Sequence, residues 1–404
     1  MNKKITIIHV FVDGIIFSEM ADRYDSMENV ENLYYIYSPQ KDYALQFIKD
    51  ERVKIINDKD EYVSFFHNPN IDVVIFYSLP FEYYYLFDYI DDNKYVVWWA
   101  WGYDMYYKQG GNEPLLPMKE MYMPLTKEYM AKQRKKLAKL KHPFLLLYHV
   151  VRSFTRRLVK TNCSYPKPHK SQKEILARID SFYAPLDIEY GLMKEKQESF
   201  IAKRCPRVLT WNNLPFSFKE RPGNILINHS LTYTDNHLDV FHYLRNVEIE
   251  VNRKYIIPVS YGIDGYGGNP NNLKDESKMD DSQTIWLTEV LPLNDYNDII
   301  STASHAIYGT LRQQALGNIF RCLMRGVKIY LFEDSIVYKE LKNNGYIVFT
   351  IEKDLNTQSL SVCLSEKEAR INYDLCKQWY TSNSPANFRM FIEQELENKR
   401  IRNC

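Results

Sequence analysis

Residues 304–333 read SHAIYGTLRQQALGNIFRCLMRGVKIYLFE, in the order strand, loop, helix, strand. Ala306, Ile307 and Tyr308 form a short apolar run that Gly309 breaks. The polar turn 310–314 leads into apolar residues at Leu316, Ile319, Phe320, Leu323 and Met324, which is the spacing of one helix face. Gly326 stands where a helix C-cap glycine belongs. The run 327–332, apolar except for Lys328, suits a buried parallel strand. A βαβ unit of this kind brings a helix N-terminus, with unpaired N–H groups and partial positive charge, to the carboxyl end of a sheet. Arg312 precedes that N-terminus, and Gln313, Gln314 and Asn318 surround it with amide donors. The stretch is suited to holding an anion.

The same alternation extends in both directions. Upstream, strand-like runs fall at 5–12, 33–37, 53–56, 73–77 and 95–101, a further one at 175–182, and a helix is expected over 185–200. Breakers between 205 and 223, among them Pro206, Pro222 and Gly223, mark a domain boundary. The pattern then restarts with strands at 224–228, 255–259, 285–290 and 346–351 and helices from 237 and 293. Strands separated by helical segments point to parallel sheets covered on both faces. With 404 residues, two domains are expected, 1–215 and 216–385, and a helix over 386–404 is expected to pack back on the first.

Composition removes several classes. Basic and acidic residues balance, 52 against 51, which argues against wholesale nucleic-acid binding. Six cysteines lack any C-x-x-C pairing, which speaks against a zinc site or a disulfide framework. The opening apolar run ends at Asp13 and reads as a first strand rather than a signal peptide, and no run approaches the ~20 residues of a membrane span. Charge is nevertheless uneven. Residues 129–173 hold 13 Lys or Arg and no Asp or Glu, and the basic residues of 132–160 flank the apolar block 144–151. That pattern fits a segment lying on an anionic membrane surface, where each basic residue is worth about 1 kcal/mol.

Candidate site residues fall at strand ends. Asp13 and Gly14 end the first strand, either as a turn pair or as part of an acceptor cleft. Trp98, Trp99 and Trp101 fill a core or line a site, and Gly102 and Asp104 follow them where a carboxylate is expected to face the cleft. In the second half, Ser230, Thr232, Thr234 and Asn236 crowd one strand-to-helix turn after Asn228, more than capping needs. Tyr261 and Gly262 form a third loop on the same edge. Glu333 ends the strand after the 316–324 helix, placed for a ribose or sugar hydroxyl or for a plain surface role. The only Asp-x-Asp pattern, Asp58-Lys59-Asp60, lies in a polar turn and reads as surface.

Two Rossmann-like halves facing each other across a cleft suggest a GT-B glycosyltransferase, and short motifs in order extend the likeness. Trp98-x-x-Trp101-Gly102-x-Asp104-x-Tyr106, Asn228-x-Ser230 with Asn236-His237, Pro258-x-x-Tyr261-Gly262 and Arg312-Gln313-Gln314-x-x-Gly317-Asn318 together resemble glycosyltransferase family 56. The resemblance covers most of the chain and is strongest over 224–355. It implies transfer of an N-acetylfucosamine-like deoxyamino sugar from a dTDP-sugar to an undecaprenyl-diphosphate-linked glycan, by a peripheral enzyme at the cytoplasmic face of the inner membrane. Donor contacts are then expected at Asn228, Ser230, Thr234, Asn236, Tyr261, Gly262, Arg312, Gln313, Gln314, Gly317, Asn318 and Glu333, and acceptor-side contacts at Gly14, Trp101 and Gly102. Asp13 and Asp104 are the candidates for a base, with Arg312 stabilising the leaving group and no metal required. The surroundings of Ser230, His229 and 231–233, depart from the family's smaller, more glycine-rich pattern and leave the donor sugar open. Two other readings compete. One is a non-catalytic glycan- or lipid-binding protein of the same fold, and the other is a sugar-nucleotide epimerase.

Overall fold

The structure, a computed structural model, describes residues 4–14, 17–118, 120–139, 165–211, 213–262 and 265–403. They form two compact units. The first comprises Met1–Pro117, His142–Trp211 and Tyr380–Cys404, and the second Met118–Lys141 and Asn212–Trp379.

The first unit holds a seven-stranded parallel sheet: β1 (Ile5–Val10), β2 (Val30–Tyr37), β3 (Val53–Ile56), β4 (Val73–Tyr77), β5 (Tyr95–Trp99), β6 (Ser181–Tyr183) and β7 (Lys203–Arg204). Their spatial order is β3-β2-β1-β4-β5-β6-β7. The sheet reverses direction of growth between β1 and β4, and open α/β sheets place ligands at the carboxyl ends of the strands flanking such a point. β1, β4 and β5 are buried along their whole length, as strands covered on both faces must be. The helix Pro385–Asn403 contributes Phe388, Ile392 and Leu396 to this core, alongside Tyr24, Tyr77 and Trp99.

The second unit repeats the plan with six parallel strands: β8 (Asn224–Ile227), β9 (Tyr255–Pro258), β10 (Thr284–Leu287), β11 (Ala303–Tyr308), β12 (Lys328–Leu331) and β13 (Phe349–Thr350). The order is β10-β9-β8-β11-β12-β13, with the switch point between β8 and β11. The decisive stretch is β11, the helix Leu316–Met324 and β12, as its periodicity requires.

Two expectations change. Residues 175–182 are not one strand: Gln172–Arg178 is a helix, and only Ser181–Tyr183 joins the sheet. Ser171 and Glu174 form a reciprocal capping box there, which satisfies two helix-start donors and outweighs the β-branched local pattern. The basic segment 129–173 is also not a single appendage of the first unit. Its beginning belongs to the helix Pro124–Lys139 of the second unit, where Tyr129 is buried against Tyr266. Asp239 anchors that helix, accepting from the backbone N–H groups of Leu125 (2.9 Å) and Thr126 (3.0 Å) and from the Thr126 hydroxyl (2.7 Å). A carboxylate at a helix start is favoured by both the unpaired donors and the dipole. Residues 140–164, most of the expected membrane-facing stretch, lie outside the described residues. Among the described residues no helix is long and apolar enough to cross a membrane.

Candidate functional site

At the switch point of the second sheet, the loop after β8 and the loop after β11 are tied together by side-chain amides. Asn228, in the left-handed region at φ 56, receives the Gly309 N–H on Oδ1 (2.7 Å) and donates Nδ2 to the Asp235 carbonyl (2.9 Å). Asn236, also left-handed at φ 48, donates to the Gly309 carbonyl (2.8 Å) and accepts from the Met123 N–H (2.8 Å). Gly309 has no room for a side chain, since a Cβ there would stand 2.2 Å from the Asp235 carbonyl oxygen.

The hub of the two loops is Asp235, buried in the second unit. Its Oδ2 accepts from the Ser230 hydroxyl (2.6 Å) and backbone N–H (3.1 Å). Its Oδ1 accepts from Gln314 Nε2 (3.0 Å) and lies 3.2 Å from His229 Nδ1. Gln314 completes the mesh by donating to Thr232 (2.9 Å) and accepting from Thr234 (2.8 Å). Burial alone pushes the Asp235 carboxyl up. The His229 ring beside it and the Ser230 hydrogen bond outweigh that push and hold it below the usual value, so the group is a carboxylate.

Asn228, Ser230, Thr234, Asn236 and Gln314 are all buried, and their hydrogen bonds go to one another and to Asp235. They form the frame that shapes the loops. Asp235 was not among the expected site residues, although a carboxylate placed amid four hydroxyl and amide donors in HSLTYTDNH is the available signal.

The rim of the site is built from other residues. Arg312 is half-buried and donates to the Gln313 carbonyl (2.8 Å), and Gln313 Oε1 is buried with no hydrogen-bond partner among the described residues. Ala315, at φ 59, turns the chain into the helix Leu316–Met324. Gly317 in its first turn is exposed with open space around it, and Asn318 Nδ2 reaches the Tyr296 hydroxyl (3.3 Å). Tyr261 is 70% exposed, and its carbonyl accepts from the Leu231 N–H (2.6 Å). Gly262, at φ 87, lies so close to Thr232 that a Cβ would meet its methyl at 2.6 Å. Glu333 is exposed and pairs with Lys353 (2.5 Å).

In the first unit, Asp13 accepts from three successive backbone N–H groups, those of Gln46 (2.5 Å), Phe47 (3.2 Å) and Ile48 (2.8 Å), and so anchors the β2–β3 connection beside the end of β1. Gly14 follows it, half-exposed. Trp98 and Trp99 fill the core, whereas Trp101 is 40% exposed. Gly102 takes φ 88 and starts the short turn 103–106. Asp104 does not face solvent as expected: it is 1% exposed and accepts from Leu79 N–H (3.0 Å), Trp98 Nε1 (2.9 Å) and Trp101 N–H (3.0 Å). It therefore clamps the loops after β4 and β5.

Burial raises the Asp104 carboxyl above 3.8 even against those three donors. A raised folded pKa means that the folded state binds the proton more tightly, so stability falls as pH rises from about 3.8 through the folded value. Asp104→Ala is expected to lower the unfolding free energy by about 3 kcal/mol by orphaning buried donors. The difference from the wild-type chain should be largest in acid and shrink toward neutral pH, as denaturant titrations across that range will read.

Among the described residues no group of three or more His, Cys, Asp or Glu side chains is arranged to hold a metal ion.

No protein-family model and no curated protein matches the sequence. Solved structures match it along its whole length. A glycosyltransferase from Rickettsia africae superposes with a TM-score of 0.56 at 11% identity, covering 99% of this chain and 98% of that one. Anabaena HepE, in complex with UDP and glucose, gives 0.55 at 8% identity, with coverages of 98% and 100%. An Escherichia coli structure described as trehalose-6-phosphate, bound with UDP-2-fluoro glucose, gives 0.53 at 9%, with coverages of 97% and 98%. At such identities the likeness establishes architecture. With its two parallel sheets, the chain has the GT-B fold of these glycosyltransferases.

Proposed function

We propose that the protein is a glycosyltransferase that takes a nucleotide-sugar donor at the switch point of the second sheet. The observation that carries the reading is the rigid pair of loops after β8 and β11. Cross-linked through Asp235 and Gln314, they present Arg312, Gln313 and the exposed start of the helix Leu316–Met324 together. Oriented N–H groups and a guanidinium are what a departing diphosphate needs, and such groups act best when fixed beforehand. Two of the structural neighbours are described with UDP or a UDP-sugar, which supports a nucleotide-sugar donor.

The finer reading rests on the resemblance to glycosyltransferase family 56. The donor is a dTDP-linked deoxyamino sugar, and the acceptor is a glycan on undecaprenyl diphosphate held at the first unit near Gly14, Trp101 and Gly102. The basic residues of 132–160 would hold the enzyme on the anionic cytoplasmic face of the inner membrane. The charge of Arg312 and the helix start take the part that a metal plays in other glycosyltransferases. Of the two first-unit carboxylates, only Asp13 keeps solvent exposure, so it is the better placed to meet an acceptor hydroxyl.

A thermal-shift screen of the purified chain against dTDP, UDP, GDP and CMP, with and without EDTA, tests this reading. A nucleotide that binds only the folded state raises the melting temperature by mass action, equivalent to about 2.7 kcal/mol at a hundredfold excess over Kd. Stabilisation by dTDP that EDTA does not change is expected. A response to UDP or GDP alone would keep the transferase and discard the dTDP donor. No response to any nucleotide would favour the non-catalytic binding protein.

A further inference from the structure

His229 belongs both to the frame around Asp235 and to the surface. Its Nδ1 is buried 3.2 Å from Asp235 Oδ1, off the line of a directional hydrogen bond, and its side chain remains 15% exposed. A contact of that shape depends on charge more than on direction. The residue follows the left-handed Asn228, at the carboxyl end of β8, on the same switch point as Arg312.

We propose that His229 contacts the diphosphate of the bound donor directly, as an imidazolium held between the Asp235 carboxylate and a phosphate oxygen. The inference rests on the nucleotide-sugar reading above and adds to it a second cation, drawn from the other loop of the pair. The neighbouring ionisable groups leave that role to His229. His237, at the head of the next helix, is fully buried and lowered to about 4, chiefly by desolvation against the pull of Asp235, so it is neutral. Tyr308 at the end of β11 and Tyr266 in the β9–β10 connection are held neutral by burial. Asp235 is the carboxylate of the cluster, and Arg312 is the cation of the facing loop. Asp235 acts as a positioning residue, fixing the ring by its charge while its remaining valences hold Ser230 and Gln314.

The test is calorimetric titration of the full chain with UDP and with dTDP, at about pH 6 and about pH 8, on the wild type, His229→Gln and His229→Lys. The pH range brackets the ordinary histidine titration. A charge-assisted hydrogen bond lost near pH 6 should weaken binding in His229→Gln about tenfold or more. The deficit should shrink to about threefold or less near pH 8, above the ordinary histidine range. The free nucleotide's own phosphate titration is common to every variant, so it cancels in the comparison. His229→Lys, with a fixed charge, should bind at both pH values. It keeps the test decisive if the glutamine variant does not fold. Equal binding by wild type and His229→Gln, or an equal loss at both pH values, would overturn the inference and leave the nucleotide-sugar reading standing. Failure of the wild type to bind either diphosphate, with no response to GDP or CMP in the thermal-shift screen, would overturn that reading, and this inference with it.

Discussion

Asp235→Ala is expected to remove about 3 to 5 kcal/mol of unfolding free energy from the second unit, the range typical of breaking a buried, paired charge. The substitution leaves the Ser230 hydroxyl and N–H and the Gln314 amide without their acceptor in a site closed to water. A domain is stable by only about 5 to 15 kcal/mol, so the loss is a large share of the total. Denaturant titration near neutral pH reads it directly, and a loss under about 1 kcal/mol would show that the loops do not depend on this hub. The pH dependence has a defined sign. The Asp235 carboxyl is held below 3.8 in the fold, so its contribution is present above that value and is lost as pH falls through the folded pKa. The gap between wild type and Asp235→Ala should therefore narrow in strong acid, opposite in sign to the behaviour expected of Asp104. Asp235→Asn, which retains one acceptor oxygen but not the charge, should fall between the two.

Arg312→Ala is expected to cut turnover by about 10²- to 10³-fold, roughly 3 kcal/mol of transition-state stabilisation. The effect should be selective. Arg312 is half-buried and donates to the neighbouring Gln313 carbonyl, so the melting temperature should move less than in Asp235→Ala. With the sugar nucleotide that the thermal-shift screen identifies, the loss should appear in kcat more than in KM, because the charge that Arg312 meets grows as the glycosidic bond breaks. Arg312→Lys should recover part of it, keeping the charge without the planar fork. Near-normal turnover in Arg312→Ala would remove the residue from the leaving-group site and with it the central element of the proposed mechanism.

Much of the architecture was legible from periodicity. The β11–helix–β12 unit, the restart of the pattern at 224 and the buried strands of the first sheet all follow from apolar spacing and breakers. These are local properties, and tertiary packing reinforces them. The difference at 175–182 has a local cause too: the capping box of Ser171 and Glu174, present in the sequence, starts a helix there despite the apolar run. Cues for the division of the basic segment were absent. Asp239 lies 113 positions along the chain from the Thr126 that it anchors, and no periodicity links the two.

The sequence by itself determined two parallel α/β sheets, the region of the candidate site and the residue types collected there. Only the tertiary structure decided which of those residues face one another. The spatial order β10-β9-β8-β11 sets two loops side by side whose partners are 79 to 82 positions apart, Gln314 with Asp235 and Thr232, and Gly309 with Asn228. Once adjacent and closed to water, their polar groups must satisfy each other. That requirement turned Ser230, Thr234 and Asn236 inward, made Asp235 the hub, and left Gly317 exposed and Arg312, Gln313 and His229 half-buried.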